Sequence, residues 1–331
     1  MKLLFLRHFN RSDKDYLMQN LSDKYEIIIP ENYSEKELLR LISSVDVCLG
    51  NMISDDLLHQ ANKLKLFQNN GAGVNKLNLD LFKQKNIMVG NSHTNGIYVA
   101  EFAIALMFSI IKKIHHHDRF MRSGRWFNPS GKDKDNHYLS DTIIGKKIGI
   151  LGFGHVGRSI MKMLSGFDNK FLILSKNENK RINSGPPPIE KNDLLSILSE
   201  SEVLFITLPL TKNTNSMLGK KEFELINNKT YLINVSRAEI IEKKHLYNAL
   251  LQEKIRGAAL DVWYSDPYDK GGRQYPCKEY PFHELNNVVL SPYRAGYVQN
   301  LSPHLEGVVK NLLLFADNGN VHTQINFIDG Y

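Results

Sequence analysis

Gly152, Gly154 and Gly157 lie within residues 148–159, which read IGILGFGHVGRS, and the chemistry this spacing suits is the holding of a diphosphate. The apolar run Ile148, Ile150 and Leu151 leads into the first glycine, and a helix is predicted over 158–165. Strand, tight turn and helix in that order give a GxGxxG pattern its meaning. The first glycine permits the turn, the second lets a pyrophosphate approach the backbone, and the third lets the helix pack on its strand. The free N–H groups and positive end of that helix then receive the phosphates. Gly152, Phe153, Gly154, His155, Val156 and Gly157 are therefore the expected cofactor contacts.

The next strand, predicted over 170–174, ends in Ser175-Lys176. A chain that binds NAD usually carries an acidic residue there, about 20 residues beyond the glycines, for the ribose hydroxyls. Here a hydroxyl and a cation stand instead, with Lys180 and Arg181 close behind. That chemistry suits a 2′-phosphate, so NADP is expected as cofactor, with NAD as the alternative. Ordinary surface lysines in a lysine-rich chain would look the same.

Other candidate groups lie upstream. Residues 70–75, NGAGVN, are either a nest of backbone N–H groups able to hold a carboxylate or a plain glycine turn. Asn95 could donate its amide to a ligand oxygen, and His93 reads as a loop histidine. Arg7 and His8 close the first strand at the end where open α/β sheets place ligands, although ordinary loop residues would also stand there. His115, His116 and His117 are consecutive, so on a helix they point in different directions and are expected at a solvated helix end, not around a metal.

The elements that must position these groups alternate. Strands are predicted over 2–6, 25–29, 45–49, 66–68 and 87–89, with helices over 35–43 and 55–63 between them. One long, buried helix is expected over 99–114, with Glu101 as its buried polar exception. After the glycine turn come strands over 203–207, 230–234, 257–262 and 288–290, with helices over 194–198, 221–226 and 245–251. A helical stretch over 296–318, interrupted early by Pro303, returns to the first part. This alternation predicts parallel sheets covered on both faces.

With 331 residues, two domains are the better expectation. A composition of 42% hydrophobic and 23% charged residues is that of a globular protein, and the net charge of +7 comes from scattered lysines rather than a nucleic-acid-binding pattern. Two cysteines, Cys48 and Cys277, give neither a disulfide framework nor zinc spacing. The longest apolar stretch, 102–111, falls short of a membrane span, and the N-terminus reads as a strand and not a signal peptide. A cytoplasmic protein with no metal, membrane or nucleic-acid partner is expected.

Taken together the motifs resemble the D-isomer-specific 2-hydroxyacid dehydrogenase family. The resemblance covers nearly the whole chain: Gly71-Ala72-Gly73-Val74, Asn95, Val99-Ala100-Glu101, Gly124-Arg125-Trp126, the glycine fingerprint, Leu208-Pro209-Leu210-Thr211, Asn234-Val235-Ser236-Arg237, 257–262, 287–292 and Ala295-Gly296. It implies two doubly wound α/β domains with the active site in the cleft between them: a flavodoxin-like substrate domain from 1–98 and 297–331, and an inserted Rossmann domain, 99–296.

The implied chemistry is hydride transfer between a nicotinamide and the hydroxyl- or keto-bearing carbon beside a carboxylate. Such a site needs a cation for the carboxylate or carbonyl and an acid for the alkoxide. Arg237 matches the family's catalytic arginine, and Asp261 the acceptor for the nicotinamide carboxamide. The backbone N–H groups of Gly73 and Val74, with Asn95, would hold the substrate carboxylate. Leu208, Pro209, Thr214, Val235, Ser236 and Gly296 complete the implied cofactor contacts, and a homodimer with the helix from Val99 across its interface is the family's usual assembly.

Two positions depart from the pattern. Asp266 precedes Pro267 where a glutamate is common, and Tyr293 follows Ser291-Pro292 where the family has a histidine. A carboxylate beside an imidazole raises its pKa and orients its proton, and a phenol cannot form that pair. Asp266 and Tyr293 are nevertheless the expected catalytic partners of Arg237, in an NADPH-dependent reductase of small 2-keto acids. His93 or His8, or a water, are other proton sources. A catalytically impaired, nucleotide-dependent sensor or corepressor-like protein of the same fold is the alternative.

Overall fold

The computed structural model describes residues 1–126, 139–176, 189–191, 193–264, 275–299, 302–328 and 330–331. They fall into two compact units, Met1–Asn95 with Tyr297–Tyr331, and Gly96–Gly296.

In the first unit, β1 (Lys2–Phe5), β2 (Glu26–Ile28), β3 (Val47–Gly50), β4 (Leu66–Asn69) and β5 (Met88–Gly90) form a parallel sheet in the order β2-β1-β3-β4-β5. Successive side chains point to opposite faces of a strand. Leu4, Cys48 and Phe67 accordingly enter one apolar cluster, while Leu3, Phe5, Val47, Leu49 and Leu66 enter the other. Burial on both faces is why these strands read as continuous apolar runs without polar alternation. The helices are α1 (Arg11–Leu21), α2 (Glu35–Ile42), α3 (Asp55–Gln60), α4 (Leu79–Gln84) and, from the far end of the chain, α11 (Pro303–Asn318). The helical stretch expected from residue 296 thus begins seven residues later. Pro303 occupies its first turn, where a fixed φ and a missing N–H cost nothing. Asn311 on α11, fully buried, donates to Gln68 Oε1 at 3.0 Å and Asn91 O at 2.8 Å and ties the helix to the sheet.

The second unit opens with α5 (Gly96–Ile111) and α6 (Ile114–Arg122). One continuous helix was expected here. The chain breaks at Lys113, whose φ of +53° lies in the left-handed region that no α-helix continues through. Ala100, Ala103, Leu106, Met107, Ile110 and Ile111 form the buried face of α5, and Glu101 is exposed, not buried as expected. His115, His116 and His117 lie at the start of α6, partly exposed. The His115 ring instead turns back to Ser109 O, Nδ1 standing 3.1 Å away. Among the described residues no cluster of three potential metal ligands occurs.

Strands β6 (Lys147–Leu151), β7 (Lys170–Leu174), β8 (Ile189–Lys191), β9 (Val203–Ile206), β10 (Tyr231–Asn234), β11 (Gly257–Leu260) and β12 (Val288–Leu290) form a parallel sheet in the order β12-β11-β10-β9-β6-β7-β8. Between them run α7 (His155–Leu164), α8 (Leu194–Glu200), α9 (Lys220–Leu225) and α10 (Lys243–Leu251). Leu151, Leu204, Ile206 and Leu232 pack on one face of the sheet, Ile148, Ile150, Val203, Phe205 and Ile233 on the other. Each fully buried side chain of this kind contributes about 1.5–3 kcal/mol. Chain order reverses between β6 and β9, and a doubly wound sheet binds its ligand beyond the strand ends at such a point. Among the described residues no helix is long and apolar enough to cross a membrane, and Cys48 and Cys277 are buried free thiols.

Candidate active site

The glycine turn joins β6 to α7. Gly152 has φ +97°, and a Cβ there would stand 2.8 Å from Leu208 N and 2.9 Å from the Thr207 carbonyl. Its N–H donates to Leu174 O at 3.0 Å, and its carbonyl accepts the Thr207 hydroxyl at 2.5 Å. A Cβ on Gly157 would lie 2.4 Å from that same carbonyl, so only glycine lets α7 sit this close to its strand. Gly154, the N-cap of α7, differs: a Cβ there would meet nothing within 4 Å. Two glycines are required by the chain itself, and the third faces open space at a helix N-terminus. These residues fit a diphosphate. Phe153 is buried, while Gly154 and His155 are exposed at the helix start, with Val156 half-buried beside them.

At the end of β7, Ser175 is half-buried and Lys176 exposed. Lys180 and Arg181 lie outside the described residues. After β9, Leu208 and Pro209 are half-buried. Thr214 holds the loop beyond them, donating to Pro209 O at 2.6 Å and accepting from Thr211 N–H at 2.8 Å.

Arg237 follows the end of β10. Fully buried Asn234 shapes that turn: its Oδ1 accepts from Ser236 N–H at 3.0 Å and Ser236 Oγ at 2.9 Å, and its Nδ2 donates to Arg237 O at 3.1 Å. Val235 and Ser236 stay half-buried, and the guanidinium Nη1 donates to Ser236 O at 2.7 Å. Burial pulls the Arg237 pKa below the ordinary arginine value, against the opposing charges of Glu239 and Tyr293. Partial desolvation strengthens whatever anion the guanidinium meets.

Asp261, buried just past β11, organises the turn after β12. Its Oδ1 accepts from Ser291 Oγ at 2.5 Å and Arg294 N–H at 2.7 Å, and its Oδ2 from Ala295 N–H at 2.8 Å. Both oxygens are thus engaged by the chain's own donors, one step before half-buried Gly296. Tyr293 in that turn has φ +56°, and its N–H donates to Asp261 O at 3.0 Å. Its hydroxyl accepts from Trp263 N–H at 2.9 Å and donates to Trp263 O at 2.7 Å. The Trp263 indole in turn donates to Ser291 O at 2.7 Å. Burial raises the phenol pKa above its ordinary value, and Glu239 pushes the same way while Arg237 opposes. The structure therefore brings Arg237, Asp261 and Tyr293 to one end of the sheet; Asp266 lies outside the described residues.

In the first unit, the loop after β4 has its carbonyls pinned. Asn69 Nδ2 donates to Gly71 O at 2.8 Å and Gly73 O at 3.0 Å, and Asn91 Nδ2 to Ala72 O at 2.9 Å. In this loop Gly73 is exposed and Val74 buried. Asn95 is half-buried immediately before α5. Asn69, Asn91, Trp263 and Glu239 are supporting residues that the sequence reading does not single out, and Asn234 enters it only within the Asn234-Val235-Ser236-Arg237 motif. An asparagine at or just past a strand end is the available signal for Asn69, Asn91 and Asn234.

The family described as "D-isomer specific 2-hydroxyacid dehydrogenase, NAD binding domain" matches residues 104–295. A glyoxylate reductase from Thermococcus litoralis is 30% identical over 284 residues, 85% of this chain and 82% of the relative. Among solved structures, an acyclic imino acid reductase in complex with NADPH and D-Arg superposes with a TM-score of 0.80 at 23% identity, over 98% of this chain and all of that one. An NADPH-dependent glyoxylate/hydroxypyruvate reductase from Sinorhizobium meliloti gives 0.79 at 19% identity, over 98% of each chain. At those identities the two structures share the fold. With the family matched over more than half its length, and a 30% identical relative covered over most of its own, this chain belongs to the D-isomer-specific 2-hydroxyacid dehydrogenases, NAD(P)-dependent oxidoreductases of two parallel-sheet α/β domains.

Proposed function

We propose that the protein reduces C2 of a small 2-oxo acid to the D-2-hydroxy acid and prefers NADPH. The observation that carries this reading is half-buried Arg237 just past β10, its guanidinium on Ser236 O, at the same end of the sheet as Asp261 and Tyr293. A desolvated fork of that kind suits the carboxylate or carbonyl of a 2-oxo acid. The 30% identity to a glyoxylate reductase supports a small substrate.

When bound, the reduced nicotinamide supplies a hydride to C2. Gly152 to Gly157 would hold its diphosphate, Leu208, Pro209, Thr214, Val235, Ser236 and Gly296 would line its path, and Asp261 would face the carboxamide. Ser175 and Lys176 would take the 2′-phosphate, and their chemistry supports NADP over NAD. Arg237 binds and polarises the substrate, with the Gly73 and Val74 N–H groups and Asn95 as further carboxylate donors. For a 2-oxo acid the alkoxide draws its proton from the Tyr293 hydroxyl, which must exchange Trp263 O for the substrate oxygen.

A cytoplasmic homodimer completes the proposal. Ile97, Ile114, Met121 and Trp126 are exposed apolar side chains on α5, on α6 and just beyond, and they support an interface along these helices. Oxidation of NADPH and NADH with glyoxylate, hydroxypyruvate and pyruvate, compared between wild type and Arg237→Ala, tests the reading. Turnover of none of the three by wild-type protein overturns it.

A further inference from the structure

Arg7 and His8 follow the end of β1, and the guanidinium there has a fixed place. Its Nε donates to His8 O at 3.2 Å, and its Cζ stands 5.1 Å from the centre of the Phe9 ring. That ring is buried and meets Phe5 edge-on at 5.1 Å, so the arginine is braced against the core of the first unit. Arg7 is half-buried, yet its terminal nitrogens Nη1 and Nη2 have no partner among the described residues. A planar cation held by its Nε and by one face, with its outer edge unspent, suits an oxyanion taken by two parallel bonds.

Two neighbours leave polar ends unspent beside it. The rings of His8 and Tyr33 meet edge-on with 6.4 Å between centres, and neither the imidazole nor the phenol is hydrogen-bonded among the described residues. Burial raises the Tyr33 pKa, with Arg7 opposing, so the phenol keeps its proton as a donor. The carboxylate of Asp13, on α1, is taken up elsewhere: its Oδ1 accepts from Ser302 Oγ and its Oδ2 from Asn10 Nδ2 at 3.1 Å.

The fold puts this group where an open sheet takes a ligand. In the order β2-β1-β3-β4-β5 the chain leaves β1 for β2 on one side and for β3 on the other, and ligands lie beyond the carboxyl ends of the strands at such a switch. The two strands end side by side there. Leu6 N–H donates to Leu49 O at 2.8 Å, and a Cβ on Gly50 would stand 2.9 Å from Leu6 Cβ. The 71–74 loop, which takes the substrate carboxylate in the proposed function, follows β4, two strands from β1. At a spacing of about 4.8 Å per strand, the two strand ends lie about 10 Å apart. Glyoxylate is too short for that gap, whereas a longer 2-oxo acid and an arginine side chain can divide it between them.

We propose that Arg7, with His8 and Tyr33, forms a distal-anion subsite, and that the preferred substrate is a 2-oxo acid bearing a second anionic group, a carboxylate or a phosphate ester, at its far end. This rests on the reading of the protein as a 2-oxo acid reductase. Arg7 takes no part in hydride or proton transfer. It selects the substrate by binding a charge that glyoxylate, pyruvate and hydroxypyruvate lack.

2-Oxoglutarate and 2-oxopentanoate share a five-carbon chain and differ in the terminal carboxylate, so the ratio of their kcat/KM values reads the subsite. With NADPH and the full chain, that ratio is expected to be about thirtyfold or more in wild type and about threefold or less in Arg7→Met, through a fall on 2-oxoglutarate. Methionine keeps an apolar stem against Phe9. Arg7→Lys, which keeps the charge and loses the fork, is expected to give an intermediate ratio. Hydroxypyruvate and its phosphate ester form a second pair, and the pair with the larger Arg7-dependent ratio identifies the distal anion. Ratios near one for both pairs in wild type overturn the subsite, as does a wild-type ratio that both variants leave unchanged. Glyoxylate, pyruvate and hydroxypyruvate are expected to be reduced more slowly, and their reduction alongside either of those results leaves the reductase reading standing. Turnover of none of these acids sinks that reading and the subsite with it.

Discussion

The Tyr293 hydroxyl bridges the N–H and the carbonyl of Trp263, 30 residues away in sequence, at 2.9 and 2.7 Å. It satisfies two backbone groups of buried Trp263 and joins the ends of adjacent strands. Tyr293→Phe should therefore cost about 1–3 kcal/mol through the groups left unpaired, read as a lowered denaturant midpoint. A midpoint equal to wild type would mean that the bridge contributes nothing.

Arg237 lies just past the end of β10 and is half-buried. Arg237→Ala is expected to lower kcat/KM by about a hundredfold to a thousandfold while leaving NADPH affinity, followed by fluorescence titration, close to wild type. Arg237→Lys should recover only part of the loss, since an ammonium lacks the planar fork. Full recovery by lysine would assign the residue a charge role alone.

The glycines of the phosphate turn separate folding from binding. At Gly157 a methyl group would lie 2.4 Å from Gly152 O, so Gly157→Ala should destabilise the protein by about 1–3 kcal/mol. At Gly154 it meets nothing within 4 Å, so Gly154→Ala should cost under about 1 kcal/mol of stability and weaken NADPH about tenfold or more. Equal NADPH binding by Gly154→Ala and wild type would place the diphosphate elsewhere.

On the proposed preference for NADPH, Lys176 is the residue that should set cofactor choice. Lys176→Ala should raise the NADPH Kd about tenfold and the NADH Kd by no more than about twofold, as the loss of a cation facing a 2′-phosphate requires. Equal weakening of both would remove the argument for NADP.

Acid stability should follow His304, half-buried in the first turn of α11. Burial lowers its pKa below the ordinary histidine value, partly opposed by Asp13 and reinforced by Arg7. The unfolded chain then binds the proton more readily than the folded one, so stability rises with pH. The contribution is complete above about pH 6.5 and is lost as the pH falls toward the folded-state value. Burial lowers His115 and His116 in the same direction. Unfolding midpoints should therefore drop between about pH 7 and pH 5, and His304→Gln should flatten the drop. A midpoint independent of pH across that window would contradict the sign.

Much of the architecture was legible because its signals are local. Apolar runs buried on both sheet faces, glycines where a turn or close contact admits nothing larger, and Pro303 at a helix start are each dictated by neighbours in the chain. Even so, the helix over 99–114 reads as one, and only the left-handed Lys113 divides it into α5 and α6. Glu101 reads as buried because the residues around it are apolar; the tertiary structure turns it outward, since burial depends on which face meets the sheet.

The sequence by itself determined that this chain has two parallel α/β domains, a dinucleotide turn at Gly152 to Gly157, and an arginine and a tyrosine where the family has arginine and histidine. Tertiary structure decided what those residues touch. Asn91 pins the Ala72 carbonyl, Asp261 spends both oxygens on the turn after β12, and the phenol of Tyr293 closes onto Trp263. The physical reason is distance along the chain: hydrogen bonds between residues 19 to 34 apart leave no periodicity or spacing to read, and exist only once the strands that carry them lie side by side.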